Sequence, residues 1–177
     1  GHNVSIVAFG GIALAPLTRA EAISSVRRLI DRGVNHLDVA PSYLDAEVKM
    51  GPALRGGYRD RVFLACKTLE RSREGARREL EQSLKRLGTD HFDLYQFHGV
   101  DAADELDQIL SPGGAMEAVK AAQEKGAIRF IGITGHHPGV QLEALRRYPF
   151  ATIMTPVDFV DHFYTNAEGG LLPYAQK

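Results

Sequence analysis

Six short apolar runs punctuate the chain at intervals of roughly thirty residues: 6–10, 34–40, 62–66, 92–97, 128–134 and 151–155. Each has the length of a strand and is rich in Val, Ile, Phe or Tyr, side chains that suit a pleated, buried surface. Between the runs the period changes. Residues 20–30 carry apolar positions at helical spacing; Thr18 and Glu21, three apart, can satisfy each other's backbone donors at the start, and Gly33 stops the helix. Residues 74–87 place Leu80, Leu84 and Leu87 on one stripe ahead of Gly88. A third helix starts at S111-P-G-G-A115 and runs to Gly126, and a shorter one spans 140–148, ended by Pro149.

This rhythm predicts parallel strands, because parallel neighbours need a connection long enough to hold a helix. The class is therefore α/β. A doubly wound dinucleotide-binding sheet would carry G-x-G-x-x-G after its first strand, and F9-G-G-I-A-L14 lacks that spacing. A TIM (β/α)8-type barrel is the better expectation, with about six of its eight strand-helix units present. No linker, charge block or low-complexity stretch interrupts the chain, so residues 1–177 read as a single partial barrel domain. Its ends suggest truncation: no Met opens it, and a helix is under way at Pro173 without a stop signal.

Composition narrows the partners. The 177 residues are 44% hydrophobic and 24% charged, with a net charge of −1 and a pI near 6.7, which gives no general field toward nucleic acid or anionic lipid. The single Cys66 excludes an internal disulfide and a Cys-rich zinc site, and no apolar stretch approaches the roughly 20 residues that span a bilayer. A cytoplasmic protein with a small-molecule partner, no nucleic acid and no membrane is expected.

In a parallel barrel the C-terminal strand ends share one rim, so polar residues there converge from distant parts of the chain. The second run ends in Asp38, with Tyr43 in the following loop; the third ends in Lys67 and the fourth in His98. A phenol is a poor general acid near neutrality unless a neighbouring cation stabilises its anion. Lys67 can supply that charge, Asp38 can hold Lys67 charged and oriented, and His98 can donate to a substrate oxygen beside the phenol.

With these residues in place, the sequence resembles the aldo-keto reductase superfamily. The resemblance runs through F9-G-G11, G33-V-N-H-L-D-V-A-P-S-Y43, F63-L-A-C-K-T68, L80-E-Q-S-L-K-R-L87, D93-L-Y-Q-F-H98 and I128-R-F-I-G-I-T134, over nearly the whole chain. It implies a barrel that binds NADP(H) across its rim and reduces an aldehyde or ketone to an alcohol without metal or flavin. By the same resemblance Asp38, Tyr43, Lys67 and His98 are the catalytic tetrad, with Tyr43 the general acid. Gly10, Gly11, Thr134 and Gly135 are expected at the cofactor, Thr134 near the nicotinamide carboxamide.

Gly135 stands where many members have Asn, and Met154 where many have Gln, which weakens the expected grip on the nicotinamide. By the same resemblance, the last two strands and most of the N-terminal hairpin of the family barrel are expected to be missing from residues 1–177. Open edges at residues 6–9 and 151–154 then invite self-association, and this chain alone is expected to be weak or inactive.

Rival readings remain. A non-catalytic nicotinamide-binding sensor or accessory subunit would keep the fold without turnover. His136, His137, Asp158, Asp161 and His162 could serve a metal-dependent TIM-barrel hydrolase, although Lys67 would then lack a role. His36, in register with Asp38 by period two, is expected to pack inside the barrel rather than bind metal. Cys66 is expected in the core, and the basic run 71–78 is expected to be a solvated helix start.

Overall fold

The computed structural model describes residues 3–157 and 167–176. Six strands form one sheet in chain order: β1 (Ala8–Gly10), β2 (His36–Asp38), β3 (Phe63–Thr68), β4 (Phe92–Phe97), β5 (Ile128–Thr134) and β6 (Thr152–Met154). Every adjacent pair is parallel. The sheet curls into a partial barrel, and its helices are α1 (Arg19–Asp31), α2 (Ala46–Met50), α3 (Arg73–Leu87), α4 (Ala103–Leu110), α5 (Ala115–Glu124), α6 (Pro138–Arg147) and α7 (Leu171–Ala175).

The predicted signals act where they were placed. Thr18 and Glu21 form the reciprocal cap of α1, with the Thr18 backbone donating to Glu21 at 2.8 Å. Gly88 ends α3 in the left-handed region, φ +67°, where a side chain would be strained. The two short outer strands are trimmed relative to their apolar runs: Ile6 and Val7 stay exposed ahead of β1.

Two helices fall outside the predicted pattern. Helix α2 has five residues, too few to display a period. Helix α4 has Ala102 rather than a hydroxyl at its N-cap, and Glu105 instead accepts from the backbone N–H groups of Asp101 at 3.1 Å and Ala102 at 3.3 Å.

Alternation along each strand separates two environments. Leu64, Cys66, Tyr95, Phe97, Ile131 and Ile133 join the buried core, with Leu80 and Leu87 of α3 and Val119 of α5. The intervening residues line the concave side, and there the strand ends build the site.

Candidate active site

Strand pairing sets the spacing. Asp38 pairs with Ala65 in the β2–β3 register and Lys67 pairs with Gln96 in the β3–β4 register, so Lys67 and Gln96 share one level, two residues beyond that of Asp38 and on the same inward face. Lys67 is 2% exposed and forms an ion pair with Oδ1 of Asp38. Gln96 Nε2 donates to the other carboxylate oxygen at 3.1 Å. Both acceptors of a buried acid are thereby engaged, which is what such a charge requires.

Tyr43 comes to the same place through a turn, its N–H donating to the Ala40 carbonyl at 3.0 Å. Lys67 Nζ donates to its hydroxyl at 2.9 Å and lies 4.7 Å from its ring centre. His98 follows β4, its N–H donating to the Thr68 carbonyl at 2.9 Å, and its ring meets Tyr43 edge-on at 5.8 Å. Burial, and then the Lys67 charge, push its imidazole down to about 4, so the ring is neutral at physiological pH. Asp38, Tyr43, Lys67 and His98 are therefore together.

Tyr43, Lys67 and His98 line a cleft of about 360 Å3 with Thr134, Gly135 and Met154. Thr134 is 6% exposed; its Oγ1 accepts from Gly99 N–H at 3.0 Å, which leaves the hydroxyl proton free to donate. Thr155, also on the cleft, holds a buried hydroxyl without a partner. The first-strand glycines lie apart from this lining. Gly11 is needed for packing: a Cβ there would stand 2.9 Å from the Val39 side chain and 3.1 Å from the Asp38 carbonyl.

His36 belongs to the opposite end of the sheet. Its ring meets Phe63 edge-on at 5.3 Å, and it lines a separate apolar pocket with Leu94, Phe130 and Thr152. Cys66 is fully buried, and burial and then the nearby Glu47 raise its thiol well above the ordinary range. Among the described residues no three His, Cys, Asp or Glu side chains are grouped to hold a metal ion, and no helix is long and apolar enough to cross a membrane. Asp158, Asp161 and His162 lie outside the described residues.

Two features escape the sequence pattern. Gln96 secures Asp38 from two strands away, and its position two residues before His98 on an inward face was the available signal. The basic run divides instead of being uniformly solvated. Arg77 sits on the exposed face between Glu74 and Glu81, whereas Arg71 is mostly buried, with Nη2 donating to the His98 carbonyl at 2.9 Å.

A parallel partial barrel with an acid, an ammonium, a phenol and a neutral imidazole on its C-terminal rim defines a class of α/β proteins by its site as well as its fold. Comparison with known proteins identifies it: the Aldo/keto reductase family model matches residues 7–177, and the chain belongs to that family. It is 33% identical over 183 residues to aldo-keto reductase YhdN of Bacillus subtilis, covering 96% of this chain and 52% of the relative. It is 29% identical to L-galactose dehydrogenase of Arabidopsis thaliana, covering 100% and 59%. The chain thus spans little more than half the length of these relatives. An aldo-keto reductase of Klebsiella pneumoniae, solved with NADPH, superposes with a TM-score of 0.79 at 28% identity, covering 98% of this chain and 60% of that one. The holo form of an aldo-keto reductase from Bacillus halodurans gives 0.76 at 30% identity, covering 87% and 54%.

Proposed function

We propose that this chain carries the catalytic part of an NADPH-dependent aldo-keto reductase that reduces an aldehyde or ketone to an alcohol. One observation carries the proposal. The Lys67 ammonium donates to the Tyr43 hydroxyl at 2.9 Å while its own charge is held by Asp38.

The proton chemistry follows from that arrangement. As a carbonyl oxygen gains negative charge, Tyr43 gives up its phenolic proton to it, and the ammonium stabilises the charge left on the phenol oxygen. Gln96 and the ion pair prevent Lys67 from swinging away. His98 is neutral, so it orients the carbonyl oxygen as a hydrogen-bond donor without competing for the proton. In the reverse direction Tyr43 acts as the base.

The residues at the cleft fit the nicotinamide end of the cofactor. The free Thr134 proton and the unpartnered Thr155 hydroxyl are suited to a carboxamide, and NADPH when bound would supply the hydride. The complex of the Klebsiella pneumoniae relative supports this choice of cofactor.

The decisive experiment measures NADPH binding by fluorescence and NADPH oxidation under a panel of aldehydes and ketones, for the wild type and for Tyr43→Phe. Cofactor binding with carbonyl-dependent oxidation that Tyr43→Phe abolishes is the expected result. Binding without turnover by any carbonyl would instead make the protein a nicotinamide-binding sensor.

A further inference from the structure

The loop after β2 places two hydroxyl-bearing side chains beside one imidazole. Residues 40–43 close a four-residue turn, in which the Tyr43 N–H donates to the carbonyl of the buried Ala40 at 3.0 Å. Pro41 stands second in that turn, where its ring fixes the backbone angle the turn requires. Ser42 and Tyr43 therefore leave the turn at set positions. The Tyr43 ring meets the His98 ring edge-on, and Ser42 Oγ lies 3.5 Å from His98 Nδ1.

The other polar groups around His98 are committed elsewhere. Lys67 donates to Asp38 and Tyr43. Arg71, after β3, turns Nη2 to the His98 carbonyl at 2.9 Å, the Gly99 carbonyl at 3.1 Å and Glu105 at 3.0 Å, so it holds the backbone of His98 and not its ring. His136, after β5, has its Nδ1 against Asp101 at 2.9 Å. Gly135 leaves room for that pair, since a Cβ there would stand 2.5 Å from the Val100 carbonyl and 2.9 Å from Asp101 Oδ1. Among the described residues, Ser42 is the side chain hydrogen-bonded to the His98 ring.

That ring has one proton to place. His98 is neutral near pH 7, because burial and the charges of Lys67, Arg71 and His136 outweigh that of Asp38. A neutral imidazole carries a proton on one nitrogen and a lone pair on the other, and the hydrogen bond made by one decides the role of the other. Nδ1 faces Ser42, so Nε2 is the nitrogen left to serve the cleft that the ring lines. A carbonyl oxygen in that cleft needs a donor, which requires the proton on Nε2 and the lone pair on Nδ1. A serine hydroxyl can donate to that lone pair. At 3.5 Å the bond is weak, enough to choose between tautomers and too little to hold the ring.

We propose that Ser42 is a positioning residue whose hydroxyl donates to His98 Nδ1 and so keeps the imidazole proton on Nε2, available to the cleft. The role rests on the proposed reduction for the group that Nε2 binds, whereas the tautomer can be read without turnover. One turn thus supplies both the proposed proton donor, Tyr43, and the residue that readies the imidazole beside it.

The test records long-range 1H–15N correlations of the His98 ring at pH 7 in the wild type, Ser42→Ala and Ser42→Thr, with His98→Gln to assign the signals. The wild type is expected to hold the proton on Nε2, Ser42→Ala to mix the two tautomers, and Ser42→Thr, which keeps the hydroxyl, to restore the wild-type pattern. A proton on Nδ1 in the wild type, or a pattern unchanged in Ser42→Ala, overturns the role. Ser42 is exposed and the turn closes through backbone atoms, so neither variant removes a contact on which the fold depends. Kinetics separates the two proposals. In NADPH-dependent carbonyl reduction, Ser42→Ala is expected to lower kcat by about 2- to 10-fold, the worth of a neutral hydrogen bond, and Ser42→Thr to recover it. Full kcat in Ser42→Ala despite mixed tautomers overturns the positioning role alone. No turnover in the wild type, with the tautomer still governed by Ser42, overturns the reduction and leaves the assignment of the imidazole proton standing.

Discussion

The two ends of the same strands obey different rules. At the rim, β2 and β3 present Asp38 and Lys67 as a buried ion pair whose remaining valences are taken by Gln96 and Tyr43. At the floor, His36, Phe63, Leu94 and Phe130 line an apolar pocket of about 250 Å3, and His36 Nε2 is buried without a partner. Inward positions two residues apart on β2 therefore differ in kind: both carboxylate oxygens of Asp38 are engaged, while His36 is packing that tolerates one unmet nitrogen. Burial lowers the pKa of His36, with Asp38 working in the opposite direction and Lys67 adding to the decrease. The polar cluster is concentrated at one end of the strands, and the other end is packed mainly by apolar side chains.

The largest effect that can break this contrast is kinetic. Tyr43→Phe removes the proposed proton donor and leaves the ring, so kcat for carbonyl reduction is expected to fall by about 100- to 10,000-fold, with NADPH affinity within about two-fold of wild type. A modest loss of rate in a stopped-flow assay would show that the proton comes from elsewhere.

Next in size is Lys67→Met, which strands a buried carboxylate. Equilibrium unfolding in urea should show a loss of about 3 to 5 kcal/mol, and Asp38→Asn in the same background should recover part of it. Additivity of the two substitutions would contradict the coupling implied by the ion pair.

A pH titration gives a smaller signal with a defined sign. His98 has its pKa depressed from 6.5 to about 4, so the folded state binds fewer protons than the unfolded state in that interval. The contribution of His98 is complete above pH 6.5 and is lost as pH falls toward 4. Its ring resonances, followed by NMR, should therefore show no titration between pH 6 and 8.

The smallest effect belongs to the floor. His36→Leu removes an unpartnered buried nitrogen while keeping apolar volume against Phe63, and stability should stay level or rise by about 1 kcal/mol. A loss above about 2 kcal/mol would show that the ring has a polar role at the floor.

How far the sequence exposed this molecule depended on the range of each signal. The strands and the long helices were legible because their periods repeat within one element, and the cap at Thr18 and the stop at Gly88 are local chemistry. The convergence of Asp38, Tyr43, Lys67 and His98 was legible because parallel strands put their C-terminal ends on one rim. Arg71 was misjudged as solvated because a basic run at a helix start looks alike whether or not one guanidinium turns inward to carbonyl groups 27 and 28 residues away. Gly135 read as the loss of a polar side chain; only the distances to Val100 and Asp101 show that the space is filled from another loop.

Cys66 gives the protein a built-in clock. It is the single thiol in the chain, wholly enclosed between β3 and its covering helices and one residue from Lys67, and its burial disfavours the reactive thiolate. A disulfide-exchange reagent can therefore modify it only when β3 separates from its neighbours, so the labelling rate measures how often the strand that carries the ammonium comes apart.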